Sequence, residues 1–592
     1  MEKLQKLRAL MSEKGIDAYL IPSGDAHNSE YVADYWKARA WVSGFVGSSG
    51  TVVVTATEAG LWTDGRYFIQ AASQLQGSGV SLFKMEAPGV PTYKEFLADK
   101  LPAGGKLGFD GRVIPIKEFG KISEALEDKK IVYSYNEDLI GQIWTDCPTL
   151  PTAAAFEHEP RFAGKSAGEK LADVRAKMAK LGVTSYLVVA LDDIAWLLNI
   201  RGNDMPYMPV VYAYTLITAD EAHVFIDRNK LGGLAAKLEA QGVTFHDYDS
   251  IVSFIGKLPE DGKLLLNPAN TSVMLVEALP EKLTTKQDLS TDVLALLKAV
   301  KSEVELKNSR IAYIKESVVL VRFLKWITQH DDVSTISEGD IARYLTNLRL
   351  EQPDIMSDSF STIAAYGANA ALSHYHPGEE GDTLKPEGFL LVDTGGQYYD
   401  GTTDTTRTIA IGPITDEMKR NFTLVLKGHI ALARAVFSKG TTGSHIDILA
   451  RMPLLEQGLN FLHGTGHGIG YCLGVHEGPQ RISSFLSEVA LQPGMLVSNE
   501  PAFYVEGQYG IRTENIIEVV KRKETEYGEF YGFESLIYCP IDTSSIDLDL
   551  MSDSEIEYLN DYHKQTYEIV SPHLTEAEAD WLYEATCPVA RS

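Results

Sequence analysis

The sequence predicts an α/β protein built from two copies of one α/β unit followed by an α+β domain. Length is the first observation: 592 residues exceed what a single core serves and point to two to four domains. The second is a repeat, because a helix, a glycine and an apolar strand occur over residues 3–22 and again over 171–190, with Arg8 to Gly15 and Arg175 to Gly182 both seven residues apart. The third is a change of pattern near residue 300, where about 30 residues of helical spacing begin and are followed further on by strands rich in Gly and Thr. The expected divisions are 1–150, 151–300 (a duplicate of the first) and 301–592.

In the first copy, Leu4, Leu7, Leu10 and Met11 fall at helical spacing before Gly15 and the strand Ala18–Ile21. In the second, Leu171, Val174 and Met178 precede Gly182 and the strand Tyr186–Val189. Thr51–Thr55 with LWTDGR and Tyr214–Thr218 with HVFIDR read as matching hairpins. One duplicated domain explains both sets more economically than two unrelated helix–strand units. Prolines and small residues mark 147–166 as a linker. From Val300 to Gln329 apolar positions keep helical spacing, so a long helix should open the last domain. A second helix, ISEGDIARYLTNLRL, carries Ser337 as N-cap with Asp340 three residues on. Strands follow in STIAAYG, GFLLVDTGG and DTTRTIAIG, then the helix DEMKRNFTLVLKGHIALARAVF, and the chain closes on two acidic helices.

Composition narrows the function classes. With 44% hydrophobic and 23% charged residues the chain reads as globular. Its 54 Lys and Arg against 81 Asp and Glu give a net charge of −27, a poor match to nucleic acid or an anionic membrane, both of which demand basic patches. Cys147, Cys472, Cys539 and Cys587 form no CxxC pair, which argues against a disulfide framework and a structural zinc site. With no apolar leader and no run of 18 apolar residues, a cytoplasmic protein is expected.

The chemistry gathers between Phe389 and Glu514. LVDTGGQYYDGTTDTTRT sets Asp393 and Asp404 eleven residues apart, so two carboxylates on neighbouring strands can face one point; His467 (HGTGHGIG), Glu500 (VSNEPAF) and Glu514 (GIRTEN) follow. Each acid alone is better read as a solvated turn or cap residue, but the five together reverse that reading. One metal rarely needs four anionic side chains, whereas two cations about 3.5–4 Å apart share bridging carboxylates. Four carboxylates with one imidazole suit Mn²⁺ best, with Zn²⁺, Co²⁺ or Fe²⁺ as alternatives. Three further histidines flank these motifs: His374 in ALSHYHP, His463 in FLHGTGHG and His476 in GVHEGP. On a strand, His376 would share a face with His374, so spacing does not separate the two. HGTGHG lacks the ending of a phosphate loop, and neither an HExxH helix nor a GxSxG elbow occurs.

LVDTGGQYYDGTTDTTRT, HGTGHGIG, VHEGP, NEPAFY and GIRTEN, in this order, resemble the creatinase/prolidase/aminopeptidase P group with its "pita-bread" catalytic fold. DGRYFIQAA near the start and FESLIYCPID near the end extend the resemblance over nearly the whole chain, to the long, three-domain Xaa-Pro aminopeptidases. The resemblance implies two creatinase-like domains before the catalytic one and a homodimer. It implies that Asp393 binds one metal, that Asp404 and Glu514 bridge both, and that His467 and Glu500 complete the other. It also implies a substrate site lined by His374, His463 and His476, a substrate contact at Arg66 and support of the site at Arg512.

With those roles, Glu500 is the candidate base, since a carboxylate touching the attacking water can take its proton and pass it to the leaving amine. His476 is suited to hydrogen-bond the oxyanion. The expected reaction is hydrolysis of the amino-terminal bond of peptides with proline second, a tertiary amide with no N–H and a fixed φ. Prolidase, acting on Xaa-Pro dipeptides only, is the alternative, and a peptide-binding module that has lost its ligands is a third.

Overall fold

The computed structural model describes residues 1–287 and 293–591. Contacts divide the chain into two compact units, Met1–His158 with Lys165–Leu294, and Glu159–Gly164 with Ala295 onward.

In the first unit the predicted stripe forms the helix Glu2–Glu13, which buries Leu4, Leu7 and Met11. Its counterpart is Ala167–Leu181, closed at its start by a Ser166–Glu169 capping box. Gly15 and Gly182, the glycines of the repeat, both take left-handed φ (62° and 65°), a region a side chain would resist. Each helix leads into the centre of a six-stranded sheet. In the first sheet Ala18–Pro22 pairs antiparallel with Thr51–Thr55 and parallel with Lys106–Phe109. In the second, Ser185–Val188 pairs antiparallel with Ala213–Thr218 and parallel with Lys263–Leu266. The outer strands extend both sheets in the same order and directions. The likeness reaches single bonds: Arg8 Nε donates to the Thr55 carbonyl at 2.9 Å, and Arg175 Nε to the Thr218 carbonyl at 3.0 Å.

The stretch 147–166, expected as bare linker, carries structure. Phe156–Glu157 pairs with Ile200–Arg201, and Pro160 opens a short helix, Pro160–Ala163. Proline at the first helical position has no N–H to lose, which lets so short a helix start.

In the second unit the predicted long helix spans Glu303–Thr328 behind a Ser302–Glu305 capping box. The next, Glu338–Leu350, has the expected Ser337–Asp340 box: Ser337 Oγ accepts from the Asp340 N–H at 3.1 Å, and Asp340 accepts from the Ser337 N–H at 2.9 Å. Ile363–Tyr366, Phe389–Thr394 and Thr405–Ala410 form an antiparallel sheet. A larger sheet contains Glu477–Ile482, Gly466–Gly468, Leu496–Asn499 and Asn515–Thr525 as neighbours. A hairpin, Ala502–Val505 with Tyr509–Arg512, lies between the last two in sequence. His374 is in a turn rather than a strand, so the alternation expected for His374 and His376 does not apply. Among the described residues no helix is long and apolar enough to cross a membrane.

Candidate metal centre

Asp393 sits on the strand Phe389–Thr394 opposite Thr406, and Asp404 immediately precedes the paired strand, so antiparallel pairing brings the two acids together from eleven residues apart. From the larger sheet come His467, at the middle of Gly466–Gly468, Glu500, just past Leu496–Asn499, and Glu514, just before Asn515–Thr525. Asp404, His467 and Glu514 offer ligand atoms within 4.8 Å of one another. Backbone contact sets this spacing. A β-carbon on Gly395 would lie 1.9 Å from the Thr403 carbonyl oxygen, and one on Gly466 would lie 1.9 Å from that of Ser498.

The hydrogen bonds leave donor atoms pointing at one region. His467 Nδ1 lies 3.0 Å from the Gly468 carbonyl, so it carries the proton, and the Nε2 lone pair faces Asp404 Oδ2 at 3.5 Å and Glu500 Oε1 at 3.4 Å. Three acceptors facing one another repel unless a cation lies among them. Asp393 Oδ1, Asp404 Oδ1 and Glu514 Oε1 are buried and accept no hydrogen bond, an arrangement costing about 1–3 kcal/mol or more for each atom without a counter-ion. The donor set therefore fits oxygen-preferring divalent cations.

Electrostatics agree. Burial, and then Glu514, Asp393 and Glu500, pushes the Asp404 carboxyl well above its usual range. Burial does the same to Glu514, with Glu500 and Asp393 adding to it. Glu500 is pushed up to about 7 by burial, against the pull of Arg512. His467 is held down to about 3 by burial, then by His476, so it stays neutral and able to ligate at ordinary pH.

Arg512 organises the surroundings. Its Nη2 donates to Asp393 Oδ2 at 2.6 Å, Nε to Thr406 Oγ1 at 3.1 Å and Nη1 to the Tyr504 hydroxyl at 2.6 Å. Thr406 in turn donates to Glu514 Oε2 at 2.7 Å, and Ser498 Oγ to Glu500 Oε1 at 3.1 Å while accepting the His467 N–H. Arg512 is buried and its guanidinium is engaged with Asp393, Thr406 and Tyr504.

His463 Nδ1 lies 2.7 Å from the Gly464 carbonyl, and its Nε2 lies 3.0 Å from the Tyr504 hydroxyl, which already accepts from Arg512. Burial, then Arg512, holds it down to about 4, so its ring is neutral with both nitrogens occupied, and it packs against Phe461 with centroids 5.0 Å apart. His476 is exposed, its ring perpendicular to that of His467 with centroids 4.4 Å apart. His374 is half-buried in its turn, and His376 nearby is within reach of the Asp393 charge. Arg66 belongs to the other unit, where Nε and Nη2 donate to Asp64 at 2.7 and 2.8 Å.

Tyr504, Thr406 and Ser498 were not expected as site residues. Thr406 and Tyr504 stand inside motifs already singled out, DTTRT and NEPAFY, but polar residues beside ligands carry no periodic signal.

With this geometry in place, comparison with known proteins is decisive. Aminopeptidase P2 of Arabidopsis thaliana is 39% identical over 632 aligned positions, covering 100% of this chain and 89% of that one. The pattern of metallopeptidase family M24 matches residues 307–521. The chain belongs to metallopeptidase family M24. Creatinase/prolidase amino-terminal domain patterns match 3–136 and 146–305, and the carboxy-terminal region of the M24 peptidases matches 529–589. The crystal structure of an X-prolyl aminopeptidase from Caenorhabditis elegans, described as a cytosolic enzyme with a di-nuclear active site, superposes with a TM-score of 0.93 at 36% identity over 99% of each chain. Prolidase from Thermococcus sibiricus, 22% identical with a TM-score of 0.52 over 64% of this chain and 98% of that one, shares the fold. This M24 member thus has two creatinase-type α/β domains followed by the pita-bread domain.

Proposed function

We infer that the protein is a metal-dependent Xaa-Pro aminopeptidase. The observation that carries the reading is the set of buried carboxylate oxygens on Asp393, Asp404 and Glu514 that accept no hydrogen bond, two of those acids offering ligand atoms within 4.8 Å of His467 and of each other, in a chain that matches an aminopeptidase P along its whole length. We assign Asp393, Asp404, His467, Glu500 and Glu514 as the ligands of two divalent cations. Four carboxylates and one imidazole favour Mn²⁺. When bound, such a pair supplies Lewis-acid polarisation of the scissile carbonyl and a water acidified toward neutrality.

The chain's own residues do the rest. Glu500, just past the strand Leu496–Asn499 and beside His467, takes the proton of the attacking water and returns it to the departing amine. His476, exposed beside His467, donates to the oxyanion as the carbonyl becomes tetrahedral. His374 and the face of His463 line the pocket for the pyrrolidine ring, and Arg66 contacts the peptide beyond proline. Domain divisions at 1–150, 151–300 and 301–592, a homodimer and a cytoplasmic setting complete the reading. The last is supported by the description of the Caenorhabditis elegans enzyme as cytosolic.

The test is hydrolysis of Xaa-Pro, Xaa-Pro-Xaa and Xaa-Ala-Xaa by metal-defined protein. Release of the first residue from Xaa-Pro-Xaa, abolished by chelation, is expected. Activity confined to dipeptides would establish a prolidase, and full activity without residual metal would overturn the reading.

A further inference from the structure

Glu338 is the first residue of the helix Glu338–Leu350, yet it is 0% exposed. An acid in the first turn ordinarily faces water, where the helix N-terminus stabilises it without further partners. Here the carboxylate gathers one segment of chain. Its Oε1 accepts from the Tyr366 N–H at 2.7 Å and from Asn369 Nδ2 at 3.1 Å. Its Oε2 accepts from the Tyr375 hydroxyl and from the Asp382 N–H, both at 2.7 Å. The Glu338 N–H donates back to the Asp382 carbonyl at 2.9 Å. The fit has no slack, since a β-carbon on Gly381 would lie 2.6 Å from Oε2.

His374 lies inside the segment so gathered, five residues after Asn369 and next to Tyr375. We propose that Glu338 is the positioning residue of the turn carrying His374 and His376, and through that turn a determinant of the preference for proline. The inference rests on the reading of His374 as a wall of the pyrrolidine pocket. Bonds to an ionised acceptor are the strong ones, and four of them fix both ends of the turn. Glutamine at 338 turns one acceptor into a donor, which must then oppose the main-chain N–H of Tyr366 or of Asp382, neither of which can reverse its role. The turn shifts while the metal ligands, on other elements, stay in place.

The experiment compares Glu338→Gln, Tyr375→Phe, His374→Ala and the pair Glu338→Gln/His374→Ala. The readouts are kcat and KM on Xaa-Pro-Xaa and Xaa-Ala-Xaa, metal content and Tm. Glu338→Gln should lower kcat/KM on Xaa-Pro-Xaa roughly ten- to 150-fold, the range for losing one hydrogen bond to a charged group. Metal content should not change, and the ratio to Xaa-Ala-Xaa should fall. The paired variant should be no worse than His374→Ala alone, because both changes break the same contact. Losses that multiply, or metal lost in step with activity, would overturn the inference. A damaging His374→Ala beside a silent Glu338→Gln overturns it alone, whereas a harmless His374→Ala overturns the assignment of His374 and the inference together. Should Glu338→Gln not fold, Tyr375→Phe removes a single donor and is expected to reproduce the pattern at smaller size; an unchanged substrate ratio there overturns the proposal.

Discussion

Replacing Glu500 with glutamine should stabilise the metal-free protein, and the gain should grow with pH. The folded carboxyl is raised to about 7 from an ordinary 4.5, chiefly by burial, so the folded state keeps a proton that the unfolded chain releases. Between pH 4.5 and 7 the unfolded state binds fewer protons, and stability falls as pH rises through that window. At about 1.36 kcal/mol per pH unit the full cost is about 3 kcal/mol, reached above pH 7. Glutamine keeps an oxygen for the Ser498 hydroxyl and has no charge to bury. His467 and His463, held down to about 3 and 4 by burial, act in the opposite sense: they lower stability as pH falls below about 6.5. Urea denaturation of both apo-proteins at pH 5 and pH 8 reads the carboxylate together with its effect on Asp404 and Glu514, which it helps to raise. The difference between them should widen by about 2–3 kcal/mol from pH 5 to pH 8. A constant difference would refute the buried, proton-holding carboxyl.

Asp404→Ala or Glu514→Ala should abolish turnover and leave fewer than the two ions per chain that metal analysis should find in the parent. His476→Ala should cut kcat by about 10²–10³ with metal content unchanged; a rise in KM alone would make it a substrate-positioning residue. Arg66→Ala should weaken cleavage of tri- and longer peptides by roughly ten- to 150-fold and spare Xaa-Pro dipeptides, which end before that contact. Equal losses at every length would assign Arg66 to the fold, through Asp64.

The duplication was legible because it rests on local rules. A helical stripe, a glycine at left-handed φ and an apolar strand recur at the same spacing, and the two sheets then match bond for bond at Arg8 and Arg175. The convergence of the acids was legible for a related reason: Asp393 and Asp404 flank a hairpin, and pairing register decides where they meet. What stayed hidden is side-chain bonding between segments distant in sequence. Arg512 reaches Asp393 across 119 positions and Thr406 across 106, and no periodicity encodes such a reach. Glu338 was hidden more deeply still, because an acid after an N-cap looks like an ordinary first-turn residue. Spacing could not separate His374 from His376 because the alternation of a strand does not hold in the turn where His374 lies.

Gly395 and Gly466 give the site a ruler that no ligand controls. At each, the main chain lies directly against the carbonyl of another segment, so the distance between donor groups on either side is set by main-chain thickness. Exchanging one ligand for another would change which ion is preferred while leaving the gap between donors as it is. A single methyl at either glycine would do the reverse, keeping every donor and widening the gap. Anyone wishing to retune this centre for a larger cation would therefore begin with residues that touch no metal at all.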